Sequence, residues 1–190
     1  MAKNPGKVFE ECLIKSIDQS HVLVKRLNDN AASFGQSSST RFASTNECDF
    51  LMYENNSRTF YGLELKSIGH DSLTYWREDF EVIIIDENGK EKTKKQSFNI
   101  RKCQIEGLKK WSENYNGVFG LIINFRNKNN RTFFVYIDEF LKYTNGLSKK
   151  SINFNDVLKM NPIEISYELK RVNYKYNMDE FFKKTCNAIE

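Results

Sequence analysis

The sequence predicts an α/β or α+β fold built on a single mixed β-sheet flanked by helices. Three observations predict it. An apolar stripe at helical spacing opens the chain, two hairpin patterns paired across turn signals follow, and a second helical pattern then leads into two more strand-like runs. At 190 residues, with 39% hydrophobic and 14% aromatic side chains, the chain has the size and apolar content of one domain with a true core, residues 1–190.

Taken in order, Asn4 and Pro5 form a helix start, with Asn as cap and Pro in the first turn. Val8, Phe9, Cys12, Leu13 and Ile17 then recur at helical spacing, so a helix is expected over about residues 5–18. HVLVKRL (21–27) reads as a short strand, and NDNAASFGQSSST (28–40) as a polar loop expected to be mobile. CDFLMY and TFYGLELKSI, separated by ENNSR, form a hairpin. A second, lysine-rich hairpin inserted at 80–99 joins FEVIIID to KTKKQSFNI through ENGK, where Asn88-Gly89 is a tight-turn signal. A helix over about 100–115 precedes the strands VFGLIINF (118–125) and TFFVYI (132–137). Asp138 is placed to cap a further helix, and an amphipathic helix is expected near 178–189.

Composition excludes several classes. There is no apolar run of membrane-spanning length and no leader-like N-terminal stretch, so a cytoplasmic protein is expected. Cys12, Cys48, Cys103 and Cys186 form no C-x-x-C pair, and with only His21 and His70 they offer no zinc-ligand spacing. No phosphate-binding G-x-x-x-x-G-K-[ST] loop occurs, and Ser37, Ser38 and Ser39 have no identifiable base. The net charge of +4 is concentrated at Lys25 and Arg26, in KEKTKK (90–95) and in IRKCQIEGLKK (100–110), a distribution suited to a polyanion.

The chemistry is concentrated in the first hairpin. Alternation puts Gly62, Glu64 and Lys66 on one face of the strand and Tyr61, Leu63 and Leu65 on the other. A turn centred between Asn56 and Ser57 sets Phe50 opposite Leu63 and Asp49 opposite Glu64. Two carboxylates facing each other across a strand pair repel unless a positive charge sits between them, and a hard divalent cation such as Mg²⁺ fits that role. Helical phase turns Glu10 toward the sheet and places Gln104 inside the buried arc defined by Ile105, Leu108 and Trp111, where it needs a hydrogen-bond partner.

Glu10, Asp49, Glu64, Lys66 and Gln104 together resemble the active site of the PD-(D/E)xK nuclease superfamily: helix Glu, then Asp, then E-x-K. More narrowly, the chain resembles the RecU-like Holliday-junction resolvases. NPGKVFEE is similar to that family's N-terminal helix, ASTNECDF to its approach to the metal-binding Asp, GLELKS to its Glu-x-Lys strand, and CQIEGLKKW to its helix beginning Gln-Ile-Glu. KKSI and ISYELKRVNY are similar to its C-terminal segment.

The resemblance implies a restriction-endonuclease-like core and a Mg²⁺- (or Mn²⁺-) dependent hydrolysis of DNA at four-way junctions. Asp49 and Glu64 would bind the metal with support from Glu10, Lys66 would orient the attacking water, and Gln104 would position water or a metal ligand. DNA phosphates would be met by Lys25, Arg26, Arg41, Lys90, Lys92, Lys94, Lys95, Arg101 and Lys102. Symmetric cutting of two strands calls for a C2 homodimer. Two other readings stand beside it: an endonuclease of the same superfamily with another target (restriction, nicking or repair type), and a DNA-structure binding protein that does not cut.

Overall fold

The structure, a computed structural model, describes residues 4–27, 46–80, 83–85, 91–93 and 97–187, the two short stretches by backbone alone. Helix α1 (Pro5–Lys15) is capped by Asn4, whose side chain accepts from the Gly6 N–H at 2.9 Å. It ends three residues before the expected Asp18, with its last turn closed by Ser16 and Ile17 N–H groups bonding back to Leu13 and Ile14 carbonyls. β1 (Val22–Arg26) follows. The first hairpin is β2 (Phe50–Glu54) and β3 (Thr59–Ile68), with Phe50 opposite Leu63 as the turn placement predicts. Glu54 stabilises its turn by accepting from the Asn56 and Ser57 N–H groups at 2.9 and 2.7 Å.

β4 (Ser72–Thr74) leads to a 3-10 turn at Glu78–Phe80 and to β5 (Ile83–Ile85) and β6 (Glu91–Thr93), an antiparallel pair with Ile85 opposite Glu91. α2 (Lys102–Asn114), β7 (Val118–Phe125) and β8 (Arg131–Tyr136) match the expected helix and two strands closely. α3 (Ile137–Asn145) begins one residue before Asp138, which therefore lies in the first turn, where its charge favours the helix N-terminus, rather than at the cap. β9 (Ser151–Asn153), α4 (Phe154–Val157), β10 (Ile163–Ile165) and the hairpin β11 (Tyr167–Lys170)–β12 (Asn173–Tyr176) complete the C-terminal part, ending in α5 (Met178–Cys186).

Six strands form the central sheet in the order β1-β2-β3-β7-β8-β10. It is mixed: β3 and β7 run parallel, and every other neighbouring pair is antiparallel. A parallel neighbour cannot be reached by a hairpin, so the chain between β3 and β7 crosses over, carrying α2. Each face of the sheet has its own core. Phe9 and Leu13 of α1 and Phe181 of α5 pack with Tyr61, Leu63, Leu65, Ile122 and Phe134 on one face. Ile105 and Leu108 of α2 and Phe140 of α3 pack with Leu121, Ile123, Phe133 and Val135 on the other. Among the described residues, no helix is long and apolar enough to cross a membrane.

Candidate active site

The α2-facing side of β3 departs from its apolar surroundings at two positions. Glu64 stands opposite Leu121 and Lys66 opposite Ile123, so both project toward α2. Glu64 is fully buried, at 0% exposure. Its Oε1 atom receives the Lys66 ammonium at 2.5 Å and the Gln104 side-chain amide at 2.5 Å. Lys66 keeps 21% of its side chain exposed and so connects the buried carboxylate to solvent.

Gln104 is itself held in orientation. Its Oε1 accepts the Arg101 N–H at 2.9 Å, at the start of α2, which commits its NH₂ to Glu64. The inward-facing glutamine thus has two partners, one from its own helix terminus and one from the sheet. Asp49 immediately precedes β2 and continues its ladder, donating its N–H to Leu63 and accepting on its carbonyl from Leu27. Its carboxylate Oδ2 accepts the Leu65 N–H at 2.8 Å, which draws it onto β3 beside Glu64.

The electrostatics follow. Burial pushes the Glu64 carboxyl up to about 8, the Asp49 charge adds to the rise, and the Lys66 ammonium opposes it. Burial likewise pushes the neighbouring Cys48 thiol up to about 12, with the Glu64 and Asp49 charges contributing. Burial therefore favours the protonated form of Glu64 at neutral pH unless a further cation offsets its charge.

Two glycines make this closeness possible. A side chain at Gly62 would place its first carbon 2.8 Å from the Phe119 ring and 3.0 Å from Trp111, so only glycine lets α2 lie this near β3. At Gly107, any Cβ would collide with the Glu47 side chain, and this contact seats the segment leading into Asp49 against the helix. A glycine in mid-helix lowers helix propensity and commonly has a packing reason, which was the available signal for Gly107.

The donor set suits a hard divalent cation. Glu64 Oε2 is buried and has no hydrogen-bond partner among the described residues, and the Asp49 carboxylate stands beside it. Two carboxylates, with water and a substrate phosphate filling the remaining positions, are the common protein contribution to a Mg²⁺ site. Among the described residues, no group of three His, Cys, Asp or Glu side chains forms a metal-binding cluster.

The other residues expected at the site divide clearly. Glu10 stands on the α1 side, where its Oε2 accepts from Arg26 Nε and NH2 at 3.2 and 2.9 Å, and it is not brought to the Asp49–Glu64 pair. Arg26 is thereby committed to Glu10 and lies over the Phe50 ring. Lys25 is exposed on the opposite, α2-facing side, across from Leu51. Arg101 is exposed at the start of α2, and the Lys102 ammonium lies 4.7 Å from the Trp76 ring centre. Arg41, Lys90, Lys94, Lys95 and the side chain of Lys92 lie outside the described residues, as does the 28–40 loop.

No family model matches the chain. The chain is similar to the SPbeta prophage-derived uncharacterized protein YotM of Bacillus subtilis (strain 168). The two are 26% identical over 196 aligned residues, spanning 99% of this chain and 88% of that protein. The similarity therefore extends across the whole arrangement of β2, β3 and α2.

Proposed function

We propose that this protein is a Mg²⁺-dependent endonuclease with a restriction-endonuclease-like core, acting in the cytoplasm on branched DNA as a RecU-like junction resolvase. The observation that carries the reading is the convergence of Asp49, Glu64, Lys66 and Gln104 on one face of the sheet, with a buried Glu64 oxygen left unpartnered among the described residues. The prophage origin of its relative agrees with a role in recombining phage DNA.

Asp49 and Glu64 would hold the cation, which when bound supplies a water of lowered pKa and offsets charge developing on the phosphate. The remaining work falls to the chain's own residues. Leu65 N–H fixes the Asp49 carboxylate, and Gln104 fixes Glu64 through Oε1 so that Oε2 faces away from the amide. Lys66, at the mouth of the site, orients the attacking water and meets a non-bridging phosphate oxygen. Water oxygen bonds to phosphorus and gives up a proton to solvent, the P–O bond to the sugar breaks, and the departing oxygen takes a proton from solvent. No covalent enzyme intermediate forms. A C2 homodimer would set two such sites against the two strands of a junction.

The test is Mg²⁺-dependent cleavage of a synthetic four-way junction against linear duplex and flap DNA. Cleavage of the junction is expected, with a loss of about 100-fold or more, the scale of one removed transition-state contact, in both Asp49→Ala and Lys66→Ala. Preference for linear duplex would replace the resolvase reading with another endonuclease of the same superfamily. Undiminished cleavage by Asp49→Ala would remove the site.

A further inference from the structure

The α2-facing side of the first three strands continues past the acid pair. Asp49, Leu51 and Tyr53 alternate onto it along β2. Tyr53 lies directly opposite Phe60 of β3 and opposite Leu23 of the edge strand β1. These three form a cross-strand apolar row left open to solvent, at 37%, 36% and 69% exposure. Lys25, also exposed, sits opposite Leu51, between this row and Asp49. The Phe60 ring packs beside Phe119 on the same face, centroid to centroid 6.1 Å. From Asp49 to Tyr53 the distance along the strand is about 13 Å, at ~3.3 Å per residue.

We propose that Tyr53 and Phe60 form a stacking platform for unpaired bases of a DNA strand whose backbone passes Lys25 on its way to Asp49 and Glu64. This assignment rests on the nuclease reading and deepens it: the substrate is recognised partly through bases released from the duplex, as at a branch point. Aromatic faces take any base, which suits recognition of structure over sequence, and a neighbouring cation tracks the backbone. An exposed apolar row of this kind could instead bury against a second copy of the chain. The cation between the row and the acids favours the nucleic acid, because a twofold contact through this face would bring two Lys25 ammonium groups into one interface.

The test is binding of a fluorescently labelled oligothymidylate by anisotropy, in EDTA so that no cleavage intervenes. Native protein is expected to bind, with Tyr53→Ala and Phe60→Ala each weakening binding by about five-fold or more, the low end for one stacked base. Tyr53→Phe, which keeps the ring, is expected within about two-fold of native and controls for folding. Binding unchanged in both alanine variants overturns the platform. So does conversion of a dimer to monomer by these variants, measured by sedimentation velocity, with oligonucleotide binding intact. Junction cleavage in Mg²⁺ is read separately. Ring-dependent binding without cleavage supports the platform while rejecting the nuclease, and cleavage with ring-independent binding does the reverse.

Discussion

β3 presents two unlike faces from alternate residues of one strand. Tyr61, Leu63 and Leu65 point toward α1 and α5 into a mostly apolar layer, in which Leu63 is fully buried and the Tyr61 hydroxyl is hydrogen-bonded to Thr185. Gly62, Glu64 and Lys66 point toward α2, where one position is emptied for packing and two carry charge. The apolar face is held by area removed from water. The polar face spends part of that stability on a buried carboxylate, so the first governs whether the chain folds and the second what it can bind.

Breaking the apolar face should have the largest effect on stability. Leu63→Ala is expected to cost about 2–5 kcal/mol, the range for a buried leucine, measured as a lowered urea midpoint with an unchanged slope. A cost near zero would mean that the two layers are not distinct in rigidity.

On the polar face the expectation is a pH dependence. The folded chain keeps the Glu64 proton up to about 8, whereas the unfolded chain releases it near 4.5. Between those values the native state binds more protons than the unfolded state, so this stabilisation is complete below 4.5 and is lost as the pH rises through 8. Each tenfold difference in proton affinity between the two states corresponds to about 1.4 kcal/mol, so the effect amounts to a few kcal/mol at most. Thermal melts from about pH 5 to 9, which bracket this window, should show the native protein losing stability relative to Glu64→Gln, and added Mg²⁺ should narrow that gap most at high pH. Parallel curves for the two proteins would place the proton elsewhere.

Gln104→Ala sharpens the contrast further. It removes one of the two donors on Glu64 Oε1 and leaves the Arg101 N–H without its acceptor. A loss of about 1–3 kcal/mol is expected, with cleavage reduced and Mg²⁺ needed at higher concentration. A fall in stability with metal dependence unchanged would make Gln104 a helix-start residue alone. The smallest effect belongs to Arg26→Ala, which breaks the half-exposed pair with Glu10; under about 1 kcal/mol is expected for such a pair. A large loss of cleavage in this variant would show that the α1 side reaches the substrate after all.

Local patterns made much of this legible. The hairpin register was readable because the turn centre and strand alternation together leave one pairing that buries the apolar set, and that pairing carries Asp49 to Glu64. The helical phase around Ile105 and Leu108 placed Gln104 inward for the same kind of reason. The short strands β4 and β9 were not legible: each has three residues, and they pair across a long stretch of intervening chain. β10 and the β11–β12 hairpin were likewise hidden, since runs so short have no periodicity of their own.

The sequence by itself determined which residue types share a face: the acid and lysine of β3, the carboxylate across from them, and the glutamine turned inward. Only the tertiary structure decided which of these meet. Glu10 had the right helical phase, but β1 supplied Arg26 beside it, and the sheet separates that ion pair from Asp49 and Glu64. The parallel contact of β3 with β7, and the crossover that lays α2 over Glu64, are likewise long-range choices. Periodicity is a property of neighbours in the chain, whereas burial and the partner of a charge depend on segments brought together from far apart.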